Sequence, residues 1–279
     1  MFEIVHRRQL SEAVFELGVL APRIARKVRP GQFAIVRATE RGERVPFTFS
    51  DWSSDEGWIR FIFMRVGKTT HELSHFEVGQ TLADVVGPLG VPTHVEDVGR
   101  VAVIGGGVGA AVAYPVARAM AEAGNAVTVI LGARTAELLI LREEFEALAL
   151  SRLLVVTDDG SAGEKGLVTA PLSRLAAAGG IDRAIAIGPA IMMKFCAATA
   201  KDHGVPCTVS LNPIMVDGTG MCGACRVSVG GVMRFGCVDG PDFDGWDVDF
   251  EELMSRQRVY VDDERVADAV YSRECACHL

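Results

Sequence analysis

The residues best equipped for chemistry lie late in the chain, in Asp217-Gly218-Thr219-Gly220-Met221-Cys222-Gly223-Ala224-Cys225, with Cys237 following after eleven intervening residues. As ligands they read D-x4-C-x2-C-x11-C. Plant-type [2Fe-2S] clusters take a C-x4-C-x2-C…C spacing, and this segment keeps that spacing with aspartate in the first place. Gly218, Gly220 and Gly223 allow the backbone to wrap tightly and aim N–H groups at sulfur. Two other readings use the same residues: a zinc site, since zinc accepts mixed Cys and Asp ligands, or three buried thiols beside a turn-capping Asp217. The glycine threading favours the cluster, because zinc would not need it. An oxygen ligand is harder than thiolate, so aspartate in place of one cysteine should alter the cluster's potential.

A second constellation is Gly105-Gly106-Gly107-Val108-Gly109-Ala110, which follows the apolar run Val101 to Ile104 and precedes an alanine-rich stretch. It meets G-x-G-x-x-A in the context of strand before and helix after, which would place a pyrophosphate at the helix N-terminus. A tight strand-to-helix turn in any α/β domain would look the same. No acidic residue closes the next strand, which runs into Gly132-Ala133-Arg134. Arg134 suits a ribose or a 2′-phosphate, so NAD and NADP are both open. A third constellation is Arg44-Val45-Pro46-Phe47-Thr48-Phe49, followed by Val66-Gly67-Lys68-Thr69-Thr70. An arginine beside a Pro-Phe-Thr strand can hold a pyrophosphate while the hydroxyl and backbone face a flavin ring. Each piece alone would also serve as a turn or a surface arginine.

These groups need three kinds of scaffold, and the texture of the 279 residues changes twice to supply them. Residues 1–98 carry short β runs such as Phe33 to Arg37 and Ile59 to Phe63 between glycine, proline and charged turns, which suggests a small antiparallel barrel. Residues 99–209 alternate apolar strands (Val101 to Ile104, Val127 to Leu131, Leu153 to Thr157, Ala184 to Ile187) with helical stretches at Ala110 to Ala123 and Ala136 to Leu148. That alternation predicts a parallel sheet covered on both faces. Residues 210–279 hold the cysteine segment, an acidic loop from Asp242 to Asp249 and a polar tail with one or two helices. The 28 basic against 36 acidic side chains give a net charge of −8, which argues against nucleic acid as the main partner. No run reaches the roughly 20 apolar residues of a spanning helix, and the first residues carry no apolar export signal, so a cytoplasmic protein without membrane insertion is expected. All seven cysteines fall at or after Cys196. Cys196 and Cys207 read as buried, unreactive thiols, and Cys275-Ala276-Cys277-His278 as a frayed end. Among the histidines, His71 stands out only for its place beside the Val66 to Thr70 segment.

Taken in this order, the motifs resemble the ferredoxin-NADP reductase superfamily, over nearly the whole chain. The resemblance is to the electron-transfer subunits that append a [2Fe-2S] segment at the C-terminus. Two branches are similar: the electron-transfer subunit of dihydroorotate dehydrogenase, and the small subunit of NADH-dependent reduced ferredoxin:NADP oxidoreductase, also called sulfide dehydrogenase. Val205 to Leu211 leads into the cluster in both. Asp217 in a cysteine position, with Thr157 to Ser161, Ile187 to Lys194 and Cys237 to Pro241, looks like the second branch. The resemblance implies a flavin-contacting strand at Arg44, Pro46 and Thr48 and a phosphate segment at Gly67 to Thr70, where Thr69 replaces the more usual glycine. It implies a pyridine-nucleotide site at Gly105 to Gly109, Arg134, Asp158 and Gly188-Pro189, and cluster ligands at Asp217, Cys222, Cys225 and Cys237. Ala110-Ala111 departs from the usual Ile-Ala. The family's cofactors are FAD, the [2Fe-2S] cluster and NAD(H). Its partner is a larger subunit with its own FAD and [4Fe-4S] centres, and an acidic chain suits ferredoxin contact through that partner. In such a protein hydride passes from NADH to flavin N5 and electrons then leave singly, with no catalytic acid or nucleophile required. A dihydroorotate-type subunit and a colourless zinc-stabilised nucleotide-binding module are the competing expectations.

Overall fold

The computed structural model describes residues 2–276, with side chains through Arg273. The expectation for Cys275, Cys277 and His278 therefore falls outside the described side chains. Seven strands make a curled antiparallel half-barrel: β1 (Phe2–Gln9), β2 (Val14–Leu20), β3 (Phe33–Arg37), β4 (Arg44–Ser53), β5 (Trp58–Met64), β6 (Thr81–Leu82) and β7 (Asp84–Leu89). Their spatial order is β6-β1-β2-β5-β4-β3-β7. Helix α1 (Pro22–Ala25) follows β2, and α2 (Lys68–Ser74) follows β5. Ile4, Phe15, Leu17, Phe49 and Phe61 fill the concave side. Register shifts at Ile4/His6 and at Phe49/Asp51 add the extra residue and local twist that help an antiparallel sheet curl.

The second sheet begins with β8 (Arg100–Gly106), followed by α3 (Gly109–Glu122), β9 (Ala126–Ala133), α4 (Arg142–Glu146), β10 (Arg152–Thr157), β11 (Glu164–Lys165), α5 (Thr169–Ala177), β12 (Arg183–Ile187), α6 (Ala190–Asp202) and β13 (Cys207–Ser210). These strands pair in parallel in the order β11-β10-β9-β8-β12-β13. The chain builds outward from β8 on one side and then returns to its other side through β12, so a crevice opens at the carboxyl end of β8. β8 is buried almost throughout, as expected of a parallel strand with helices on both faces. The helix expected over residues 136–148 is not continuous: a 3-10 turn spans Ala136–Leu138, and Leu141 takes φ 57 before α4 starts. Burial of Ile140 and Leu141 in the core around Phe145 outweighs the local helical pattern.

The cysteine segment folds over the joint between the sheets. β14 (Arg226–Val229) and β15 (Val232–Phe235) form a hairpin through Gly230 and Gly231, both at positive φ, as a two-residue hairpin turn demands. The expected acidic loop starts instead as a strand, β16 (Asp242–Asp244), which pairs antiparallel with β13 and extends the parallel sheet. Asp249 then caps α7 (Phe250–Gln257), its carboxylate accepting from Glu252 N at 2.9 Å, and α8 (Val261–Ala276) packs on α2. Among the described residues no helix is long and apolar enough to cross a membrane.

Candidate functional site

A cleft of about 1080 Å³ runs between the half-barrel and the carboxyl ends of the parallel strands. Its barrel wall is Pro46, Phe47 and Thr48 from β4 with Phe63 and Met64 from β5. Phe47 leans on Phe63 with ring centroids 5.4 Å apart, which fixes an apolar surface suited to a planar ring. Phe49, expected among the flavin contacts, is a core residue with no exposed surface, stacked on Phe61. Val66 and Thr70 also line the cleft. Thr70 Oγ1 accepts from the backbone N–H of Val66 and Gly67 at 3.0 and 3.1 Å, so it closes the loop that enters α2. Lys68 and Thr69 turn away from the cleft toward Glu43, which accepts from the Thr69 hydroxyl at 2.9 Å. Arg44, expected to face a pyrophosphate, instead pairs with Asp84 at 3.6 Å and donates to the Val216 carbonyl at 3.3 Å, outside the cleft lining.

The opposite wall is the glycine loop. Gly106, Gly107, Val108 and Gly109 line the cleft, and Gly105 lies just beneath as part of β8. Gly107 sits at φ 55 and donates to Gly132 O at 2.8 Å. A Cβ on Gly109 would stand 2.7 Å from Gly188 Cα and closer still to the Ile187 carbonyl, so the start of α3 reaches β12 only because no side chain intervenes. No acidic side chain and no side-chain cap occupies the first turn of α3, leaving its N–H groups and the positive end of its dipole for an anion. Arg134 and Asp158 flank the far end of the cleft at the tips of β9 and β10. Asp158 N donates to Ala133 O at 3.1 Å, which locks the two tips together. Gly188 and Pro189 precede α6 and complete this wall.

Several lining residues are not among those that the sequence motifs single out as site residues. Met192 and Phe195 reach the cleft from α6, and Phe195 is 52% exposed there. Ser210 to Pro213, Pro241 and Gln257 supply the floor, where Gln257 Nε2 donates to Asn212 O at 2.9 Å. Only the tertiary fold brings α7 back to this point, although the Asn212-Pro213 pair is a turn signal that could have marked the floor.

The cysteine loop lies directly behind the barrel wall. Cys225 and Cys237 are both 2% exposed, with sulfurs 3.2 Å apart, well beyond the roughly 2.05 Å of a disulfide. They share a small core with Phe33, Ile35 and Met215. Burial, then the neighbouring Cys225 thiol, pushes the Cys237 thiol up to about 12 in the metal-free chain, so binding a metal there must expel protons. Cys222 is exposed on the same loop, and its thiol is held below the ordinary value by backbone N–H groups. Gly218, Gly220 and Gly223 take φ of 83, 84 and 67, the left-handed region that favours glycine. Asp217 Oδ2 accepts from Thr219 N at 2.9 Å and from the Thr219 hydroxyl, bonds that hold its carboxyl below the usual range. Thus Cys225 and Cys237 converge, while Cys222 and Asp217 stand on the connecting loop. Among the described residues no three such side chains close on one point. The soft, buried sulfur pair and the N–H-lined loop fit an iron-sulfur cluster. Cys196 and Cys207 are buried as expected, on α6 and β13, and burial pushes Cys207 up to about 12.

Comparison with known proteins agrees with this layout. Residues 212–249 match the iron-sulfur cluster binding domain of dihydroorotate dehydrogenase B, and residues 103–198 match the oxidoreductase NAD-binding domain. A Thermotoga maritima protein described as a dihydroorotate dehydrogenase B (NAD(+)), electron transfer subunit homolog is 51% identical over 265 residues, 95% of this chain and 93% of that one. A probable subunit of the same kind from Methanocaldococcus jannaschii is 37% identical over 78% of this chain and 79% of its own. A solved structure of the NADH-dependent reduced ferredoxin-NADP oxidoreductase, described for flavin-based electron bifurcation, is 49% identical with a TM-score of 0.92, covering 99% of this chain and 98% of that one. The ferredoxin reductase of carbazole 1,9a-dioxygenase, at 21% identity and TM-score 0.62 over 74% of this chain and 65% of its own, shares the fold.

Proposed function

The chain belongs to the family of dihydroorotate dehydrogenase B electron-transfer subunits, and from that footing we propose that it carries electrons from NAD(H) to a larger flavin and iron-sulfur subunit of a bifurcating ferredoxin:NAD(P) oxidoreductase. It is an NAD(P)H-dependent oxidoreductase subunit whose cofactors are FAD, a [2Fe-2S] cluster and NAD(H). One observation carries the reading: Phe33 and Met215 line the cleft on one side and pack with Cys225 and Cys237 on the other. The cleft and the sulfur pair are thus separated by a single layer of side chains. Flavin bound in the cleft supplies the conversion of a two-electron hydride into single electrons that the cluster can take.

The chain's own residues do the placing. Gly106 to Gly109 and the first N–H groups of α3 hold the dinucleotide's pyrophosphate, and Arg134 and Asp158 bracket its ribose. Thr48 offers a hydroxyl to the flavin ring, and Phe47 and Phe63 exclude water from one face. Asp217, Cys222, Cys225 and Cys237 are the proposed cluster ligands. Asp217 in the first ligand place, and 49% identity over nearly the full length of the NADH-dependent oxidoreductase structure, favour the bifurcating branch.

The test combines colour, EPR and partner capture. The reconstituted chain should show flavin bands with a broad iron-sulfur shoulder, and both should bleach with NADH. Asp217→Ala should lose or shift the reduced-cluster EPR signal, and an unchanged signal would remove Asp217 from the ligand set. A colourless zinc protein would overturn the cofactor assignment for this chain. Co-purification with a subunit that oxidises dihydroorotate, in place of one carrying FAD and [4Fe-4S] centres, would move it to the other branch.

A further inference from the structure

β4 and α3, the two elements that face each other across the cleft, are also tied at their far ends by charge. Asp51 on β4 gives one carboxylate oxygen to each of two arginines: Oδ1 accepts from Arg118 on α3 at 3.0 Å, and Oδ2 from Arg60 at 2.6 Å. The Arg118 guanidinium lies between the rings of Trp52 and Tyr114, 5.6 and 5.5 Å from their centroids. From Arg60 the ion pairs continue across the outer face of the barrel to Glu16, whose side chain is 1% exposed, then through Arg8 to Glu144 on α4. The string leaves the parallel-sheet half at Arg118 and re-enters it at Glu144. Three arginines balance three carboxylates, and His6 adds a hydrogen bond to Glu16 at 2.8 Å.

Arg118 lies nine residues beyond Gly109, about 14 Å along the helix, while Asp51 lies three residues beyond Thr48. Near the cleft, Val14 and Ile62 of the barrel share a core with Ala110 and Ala111. With that apolar contact as a fulcrum, a tilt of α3 at Arg118 would swing the glycine loop relative to β4.

We propose that Asp51 and Arg118 are positioning residues for hydride transfer, their ion pair setting how closely the nicotinamide held by α3 approaches the flavin held on β4. This rests on the reading that NADH reduces flavin in this cleft. In that step the C4–H bond of the dihydronicotinamide breaks, its proton and electron pair pass to the flavin, and NAD+ remains. The pair is partly buried, with Arg118 28% and Asp51 16% exposed, and a 1 Å misplacement of reacting atoms can slow a reaction by about a hundredfold. Loss of Arg118 leaves Asp51 paired with Arg60, and loss of Asp51 leaves Arg60 paired with Glu16 and Arg118 against the Trp52 and Tyr114 rings.

The experiment compares holoprotein with Asp51→Asn, Arg118→Met, the double variant and Arg118→Lys. The flavin and iron content and the NADH KM should stay within about twofold of the parent, while single-turnover flavin reduction slows by about tenfold or more. The primary isotope effect with C4-deuterated NADH should rise as the hydride step becomes limiting. The double variant should be no slower than either single one, and Arg118→Lys should recover most of the rate. Amide exchange over residues 45–53 and 109–122 should accelerate in both single variants. Wild-type flavin reduction rates and isotope effects in those variants would overturn the positioning role. Loss of flavin or additive losses of rate would replace it with a purely structural one. If the parent protein itself is not reduced by NADH, the functional reading fails and the clasp is not what failed.

Discussion

Asp242 combines burial, a missing partner and a position at the meeting of three segments. Its Oδ2 accepts from Thr93 Oγ1 at 2.6 Å, while Oδ1 is shielded and, among the described residues, unpaired. Burial pushes its carboxyl above the ordinary value, against the smaller opposing hydrogen bond of Thr93. The folded state therefore binds the proton more tightly than the unfolded chain does. Its contribution is intact below the unfolded carboxyl value and is lost as pH rises through the folded one. Asp242→Asn, which removes the ionisable group, should leave stability near pH 4 little changed and raise it at pH 8, measured by denaturant unfolding at both pH values. The sequence alone reads Asp242 as one acid in an acidic loop, because its burial comes from Thr93 and Ser210, distant in the chain. By contrast, the cysteine pattern is legible from sequence, since ligand spacing and positive-φ glycines are local properties of one short loop. Arg44 stands between these cases. Its neighbours Pro46 to Thr48 reach the cleft as expected, but Asp84 and the Val216 carbonyl, both from other segments, decide where the guanidinium goes.

Among the elements, the buried strands of the parallel sheet are readable because continuous apolar runs have one use in a two-faced sheet. The glycine loop is readable for a related reason, since Gly109 marks a place where backbone meets backbone. Gly109→Ala would press a methyl into the Gly188 backbone and push α3 off β12. A cost of roughly 1–3 kcal/mol follows, seen as about a tenfold or larger rise in the NADH KM with flavin content retained. Steady-state kinetics against a dye acceptor, alongside the visible spectrum, checks it. The elements that elude sequence reading are those decided by packing from elsewhere. Leu141 leaves the helical region so that it and Ile140 can reach the Phe145 core, and β16 exists because β13 offers it an edge. α8 is foreseeable as a helix, but its seat on α2, where His71 meets Asp268 at 3.3 Å and the Tyr271 ring, is not.

Across the whole molecule, the three textures of the sequence do not become three separable bodies. Leu211, Val227, Phe250 and Leu253, all from the last segment, belong to the same core as Ala102, Ile104 and Met193 of the parallel sheet. A chain ending at residue 209 would uncover that core and lose on the order of 5 kcal/mol or more of apolar burial, comparable with a domain's net stability. Such a chain is expected to aggregate, and size-exclusion chromatography of the 1–209 and full-length chains compares them directly. The cysteine segment nonetheless has a second attachment, through Ile35 and Leu89, to the barrel. It is therefore a tie-rod with one end bolted to each half. If the halves part to admit or release a dinucleotide, the rod must slide on one of its seats: sliding on the barrel changes the gap between β4 and the sulfur pair, whereas sliding on the parallel sheet preserves it.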